Sequence, residues 1–434
     1  MSGIRLQLSA VFFVLWADSA VADDYASARA ELIAAYQAED FAAMRTAAAK
    51  ALKARPGYPG TLFNRALAEV LDGDAEASLG TLNGLVRLGV DFGVADIAEF
   101  NSLQALPGWQ AYLSAVERLQ MPIGTAEIAY TYDVGDFVPE GVAVGNGGEL
   151  YLGSIRHGTI IRVGASREII SEGAEHWSVF GMRLDEKGGL WFASAAIPEY
   201  AGGDEDAGRT GLFRLNLANN EIDVRALLPA GDKPMVLGDL VFIDDDTILT
   251  SESLTGTLYR YSISDSTFTE IVSPGRLRSM QGLVLDASAA HLYIADWVGG
   301  LFRITLANNE IERVTADNSV SLYGIDGLYR YGNELIAIQN GIRPHRVTGL
   351  TLSEDGLSIT ASRILARNLG EFDEPTLGTI VGDEFYFVAN SHWNRFDREG
   401  NLPDGLKGPI ILKVKISPTG AGSYGSASST ISGK

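Results

Sequence analysis

GLFRLNLANNEI at 211–222 returns 89 residues later as GLFRITLANNEI at 300–311; only Leu215-Asn216 and Ile304-Thr305 differ. A near-verbatim copy at that distance marks a repeat architecture. Working outward, a glycine beside an apolar strand recurs at Glu140-Gly141, Phe180-Gly181, Gly238-Asp239, Gln281-Gly282, Asp326-Gly327 and Leu377-Gly378, with spacings of 40 to 58 residues. The segments that follow also line up, ending at Ser154, Ser194, Ser253, Asp296, Asn340 and Asn390. They alternate apolar and polar positions as half-buried strands do. Residues 121–416 therefore hold six units of about 49 residues, the size of propeller blades. The expected fold is mainly β: a six-bladed β-propeller with four strands per blade. AEIAYTYD at 126–133 precedes the first unit and is expected to supply the outer strand of the last blade, removing an open edge.

Residues 23–120 follow a different period. Leu62, Phe63, Ala66, Leu67 and Val70 form one helical stripe, and Leu79, Leu82 and Val86 another. Asp72-Gly73-Asp74 between them reads as a helix-ending glycine and then an N-cap. Tyr25–Gln37 and Phe41–Leu52 read as an earlier pair, and Trp109, Tyr112 and Val116 as a closing helix. The pairs resemble tetratricopeptide hairpins, which implies either a partner-binding groove or a cap over the propeller.

At the N-terminus, Arg5, the apolar run Leu6–Trp16 and Ala20-Val21-Ala22 have the form of a secretory signal, 1–22, cleaved near Ala22. The expected location is periplasmic or secreted. The Ser/Gly-rich tail 417–434 is expected to be disordered. The net charge of −21, from 55 acidic and 34 basic residues, argues against nucleic acid as a partner, and no apolar run suits membrane insertion. With no cysteine, disulfides, thiolate metal sites and thiol nucleophiles are excluded.

Blade starts and the ends of second strands meet at the mouth of a propeller channel. The polar residues there are Glu140, Asp239, Glu252, Gln281, Asp296, Asp326, Asn340, Glu374, Asn390 and Ser391, with no Lys or Arg among them. Converging acids bind a cation or raise one another's pKa; alternatively they cap backbone N–H groups at turns, the expectation for Glu252 and Asp296. Asn340, Glu374 and Asn390 are the expected ligand contacts, with Trp393 as a stacking surface. His157 and His176, in loops between blades 1 and 2, are the candidates for a general base. Asp244-Asp245-Asp246 reads as a turn between strands, and AGGDEDAGR at 201–209 as a solvated loop.

PEGVAVGNGGELYLGS (139–154), FGMRLDEKGGLWFAS (180–194) and QGLVLDASAAHLYIADW (281–297) resemble blades of the gluconolactonase and senescence-marker-protein propellers. The resemblance covers about 126–416. It implies a calcium- or zinc-dependent lactonase or esterase, with a channel metal held by Glu, Asn, Asn and Asp at the first four blade starts. Glu140 matches that Glu. Phe180 or Val179 stands for the first Asn, Gly238 beside Asp239 for the second, and Gln281 for the Asp. A metal site of Glu140, Asp239, Gln281 and Asp326 is therefore expected, with calcium favoured over zinc by its oxygen donors. Two functions follow: an exported propeller that binds a small ligand and a divalent cation, with a possible protein partner at the helical domain; or a metal-dependent hydrolase of a lactone or ester.

Overall fold

A computed structural model describes residues 24–173, 175–203, 205–229, 231 and 233–417. The signal segment and the tail beyond 417 lie outside the described residues. The chain forms six antiparallel sheets of four strands each, preceded by a helical region. Innermost strands are Pro139–Val144, Ser178–Leu184, Leu237–Asp244, Met280–Leu285, Ile325–Tyr331 and Gly378–Val381, in blades 1 to 6. In blades 1 to 5 the chain runs outward strand by strand. Blade 6 takes its outermost strand from Glu127–Thr131, which pairs antiparallel with Ile410–Lys415. The ring is thus closed by the N-terminal strand of the propeller, as the sequence suggests.

The recurring glycine has a steric cause. A Cβ on Gly141 would strike the carbonyl of Phe180 in blade 2, and one on Gly282 would strike Asp326 and Leu328 in blade 5. Inner strands of neighbouring blades approach there too closely for any side chain. Burial falls away from the centre. The second strand Leu150–Ser154 is buried throughout, whereas the outermost Glu221–Leu227 alternates exposed and half-buried residues. Large side chains fill the gaps between blades: Trp191 of blade 2 packs with Leu240, Ile248 and Tyr261 of blade 3.

Five helices precede the ring: α1 (Asp24–Gln37), α2 (Phe41–Ala54), α3 (Pro59–Leu71), α4 (Ala75–Arg87) and α5 (Trp109–Gln120). Gly73, with φ of +87°, ends α3 in the left-handed region, and Asp74 accepts the Ala77 N–H at 3.1 Å to start α4. The stretch between α4 and α5 contains two 3-10 segments, Val94–Asp96 and Ala98–Ala105, that apolar periodicity did not indicate. Phe100 and Leu103 from it are buried in the helical core.

The helices seat on loops of blades 4 and 5. Ile342 of blade 5 belongs to the helical hydrophobic core. Asp91 N–H donates to Arg343 O at 2.9 Å, Tyr323 Oη to Pro56 O at 2.9 Å, and Arg346 to Gly89 O and Leu88 O at 3.1 and 3.2 Å. These loops lie at the end of the ring where the inner strands begin. The helical region therefore caps the ring at that end, beside blades 4 and 5.

Candidate functional site

Glu140 opens the inner strand of blade 1 and is 7% exposed. Its Oε2 accepts the indole N–H of Trp393 at 2.7 Å, and Thr376 Oγ1 of the blade 6 approach donates to its backbone carbonyl at 3.1 Å. Trp393 comes from the long loop of blade 6 and stacks on Phe180 of blade 2, with ring centres 6.3 Å apart. Asp326, the corresponding residue of blade 5, is also 7% exposed. Its Oδ2 accepts from Asn340 Nδ2 at 2.6 Å, and Asn340 Oδ1 in turn accepts the indole N–H of Trp297 at 3.0 Å. Neither carboxyl takes part in an ion pair among the described residues.

Burial, then the proximity of Asp326 and Glu374, pushes the Glu140 carboxyl well above its usual range. Burial together with Glu374 and Asp239 carries Asp326 up to about 7, against the pull of Asn340. Glu374 is raised as well, mainly by burial; its Oε2 accepts the Asn394 N–H at 2.8 Å. Three carboxyl groups from blades 1, 5 and 6 thus share one poorly solvated space at the mouth.

Asp239 and Gln281 are placed otherwise. Asp239 Oδ2 pairs with Arg183 Nη2 at 3.1 Å, and its Oδ1 accepts the Leu240 N–H at 2.9 Å. Burial pushes this carboxyl above its usual range, against the pull of the Arg183 guanidinium that pairs with it. Gln281 donates to Ser279 Oγ at 3.1 Å. Among the described residues no three His, Cys, Asp or Glu side chains are grouped to hold a metal ion. The carboxyl oxygens of Glu140 and Asp326 have the donor type a hard cation wants, but a full calcium shell would need further oxygens from Glu374, water or a ligand.

Arg183 lies outside the blade-start positions whose residue types point to charge at the mouth. It lies three residues further along the inner strand of blade 2, and its guanidinium sits 5.4 Å from the ring centre of Tyr329 in blade 5. Tyr329 Oη accepts the Gly378 N–H of blade 6 at 2.6 Å. Arg183, Asp239, Tyr329 and Gly378 thus tie blades 2, 3, 5 and 6 together across the ring, beyond the acid cluster.

The end of each second strand carries a different task. Glu252 accepts the N–H groups of Val236, Leu254 and Thr255; Asp296 accepts those of Arg278, Val298 and Gly299. Gln339 does the equivalent by donating to Ser321 O and Tyr323 O. These residues bind the loop entering a blade to the turn leaving its second strand, the capping role expected of Glu252 and Asp296. Asn390 is largely structural too: it accepts the Ile410 N–H at 2.7 Å and donates to Gly408 O at 3.0 Å. Asn340, one position past its blade's capping residue, is free to reach Asp326.

The two candidate histidines do not meet the carboxyl cluster. His157 is half-buried and its Nε2 lies 3.1 Å from Asp136 Oδ2. His176 is buried against Phe192, bonded to Ser171 Oγ at 2.8 Å and to Trp177 O at 3.1 Å. Desolvation lowers it to about 4. Its imidazole is expected to stay neutral at pH 5.5 by NMR titration; a midpoint near its ordinary value would contradict this burial.

No sequence-family model and no curated protein matches the chain. Solved structures resemble its propeller. A PQQ-bound aldose sugar dehydrogenase from Streptomyces coelicolor is 16% identical over 68% of this chain and all of its own, with a TM-score of 0.46. Regucalcin from Agrobacterium tumefaciens, a calcium-binding protein, is 14% identical over 67% of this chain and 95% of its own, with a TM-score of 0.47. Virginiamycin B lyase from Staphylococcus aureus is 14% identical over 67% and 99%, at 0.44. At these identities the likeness is one of fold.

Proposed function

We propose that this protein binds a small polar ligand at its channel mouth together with a divalent cation, calcium rather than zinc, held by Glu140 and Asp326. The observation that supports this most is a pair of buried carboxyl groups, each given one neutral N–H donor and neither given a cationic partner. An ionised carboxylate in such a place calls for a counter-charge. A hard cation supplies it and leaves coordination positions for the oxygens of a ligand. Trp393 and Phe180 form one aromatic wall for the ligand, and Asn340 and Glu374 add polar contacts.

A lactonase or esterase of the gluconolactonase type is the second reading. It is favoured by Asp326, whose carboxyl near 7 suits proton transfer at neutral pH. A bound cation would polarise the carbonyl there. Export and a protein partner at the helical cap belong to the same proposal. The test is a thermal-shift and turnover screen of sugar acids, lactones and aryl esters, in calcium and in chelator. A ligand-dependent rise in melting temperature that requires the cation is expected. Turnover in the same wells would select the hydrolase. Indifference to every ligand with and without cation would overturn both readings.

A further inference from the structure

A cavity of about 660 Å³ opens between blades 2 and 3. It is bordered by 184–187 and 242–245, the ends of the inner strands and the links that lead from them to the second strands in the two blades. Such links lie at the end of the ring opposite the inner-strand starts, so this cavity is remote from Glu140 and Asp326. Its size falls within the range of about 300–1,000 Å³ typical of small-molecule pockets.

Its floor is apolar. Leu184, Phe242 and Ile263 are half-buried there, and Trp191 lies beneath with its ring centre 6.3 Å from that of Phe242. The Trp191 indole N–H is satisfied by Asp185 Oδ2 at 3.1 Å, so no unmet donor points into the space. Arg214 is already committed to Asp185 and Asp223 on the wall. What remains at the rim is Glu186, Asp244 and Asp245, all exposed, against one basic side chain, Lys187. Neither Glu186 nor Asp245 has a side-chain hydrogen bond or ion pair among the described residues, and Asp244 accepts only the Asp246 N–H. An apolar trough under a surplus of uncommitted carboxylates is complementary to a positive charge carried on an apolar body.

We propose that the groove between blades 2 and 3 is a binding site for a small organic cation with an aromatic or aliphatic body. The body lies on Phe242 and Ile263, and its ammonium group faces Asp244, Asp245 and Glu186. Two probes of the same shape and opposite charge test it, naphthylmethyl-trimethylammonium and naphthylmethanesulfonate, titrated calorimetrically into the full chain. The ammonium probe should bind and the sulfonate should not. The Asp244→Asn/Asp245→Asn variant, changed only at exposed positions, should bind the cation about tenfold more weakly. Ile263→Gln should weaken it as well, while Glu140→Gln, at the other end of the ring, should leave binding intact. Absence of binding up to millimolar probe, equal binding of both probes, indifference to the double substitution, or loss of binding in Glu140→Gln would each overturn the assignment.

Discussion

Replacing Arg183 by Met is expected to lower the stability of the propeller by about 3–5 kcal/mol, the usual effect of stranding one member of a buried ion pair. The guanidinium lies 3.1 Å from Asp239 Oδ2, and the two side chains are 20% and 2% exposed. Methionine occupies much of the same volume, so the loss is mainly electrostatic. Asp239 then faces the channel as an unpaired carboxylate, beside Asp326, whose own carboxyl its charge already raises. The contact with Tyr329 goes as well, and with it a link from blade 2 to blade 5. Denaturant unfolding of Arg183→Met against the wild type measures the effect. Asp239→Asn on the Arg183→Met background should recover part of it, since the amide oxygen still accepts from Leu240 N–H while the charge is gone. A loss below about 1 kcal/mol would mean that water reaches the pair and solvates it.

The second large effect is expected from Asp326→Asn, and it depends on pH. Asp326 is raised from its ordinary carboxyl range to about 7 in the folded chain. The folded state therefore holds its proton more tightly than the unfolded state does. The stability this contributes is fully present below the unfolded pKa, near 4, and is lost as pH rises through about 7. The cation-free protein should thus be more stable at pH 5 than at pH 8 on account of this group. Glu140, raised for the same reasons, acts in the same direction. Asparagine cannot ionise, so in chelator the gain of Asp326→Asn over the wild type should be larger at pH 8 than at pH 5 by roughly 2–3 kcal/mol, because the penalty of ionising the wild-type carboxyl accrues from pH 4 up to about 7. Melting curves across this range check it; the same pH dependence in variant and wild type would contradict the shared, desolvated cluster.

The fold could be read from the chain because blade geometry imposes a local rule. Inner strands crowd around one axis, so a glycine must recur beside the channel, as at Gly141 and Gly282. The N-terminal closing strand was legible for a related reason, since AEIAYTYD has strand character and no partner in its own blade. The acid cluster was half legible. Glu140 and Asp326 stand at blade starts, and Glu374 precedes the last one. The separation of ligands from caps was not, because it depends on a single-residue register: Gln339 caps its loop while Asn340 turns to Asp326. The commitment of Asp239 to Arg183 was hidden as well. The partners are 56 residues apart on neighbouring blades, and no local pattern couples them. The seating of the helical cap on Ile342 and Arg346 is likewise a long-range contact, invisible to periodicity.

Calorimetric titration of calcium into the chelator-treated protein at pH 7.5, with wild type and Glu140→Gln side by side, tests the account most directly. The wild type should bind a divalent cation with release of protons, seen as a heat that varies with the ionisation enthalpy of the buffer, because a carboxyl near 7 must ionise to take it. Its melting temperature should rise with calcium by mass action, and Glu140→Gln should bind at least about tenfold more weakly. A wild type that takes up no calcium, magnesium or zinc, and whose melting ignores all three, would show that the channel carboxyls hold only their shared protons, and the cation-binding function would fall.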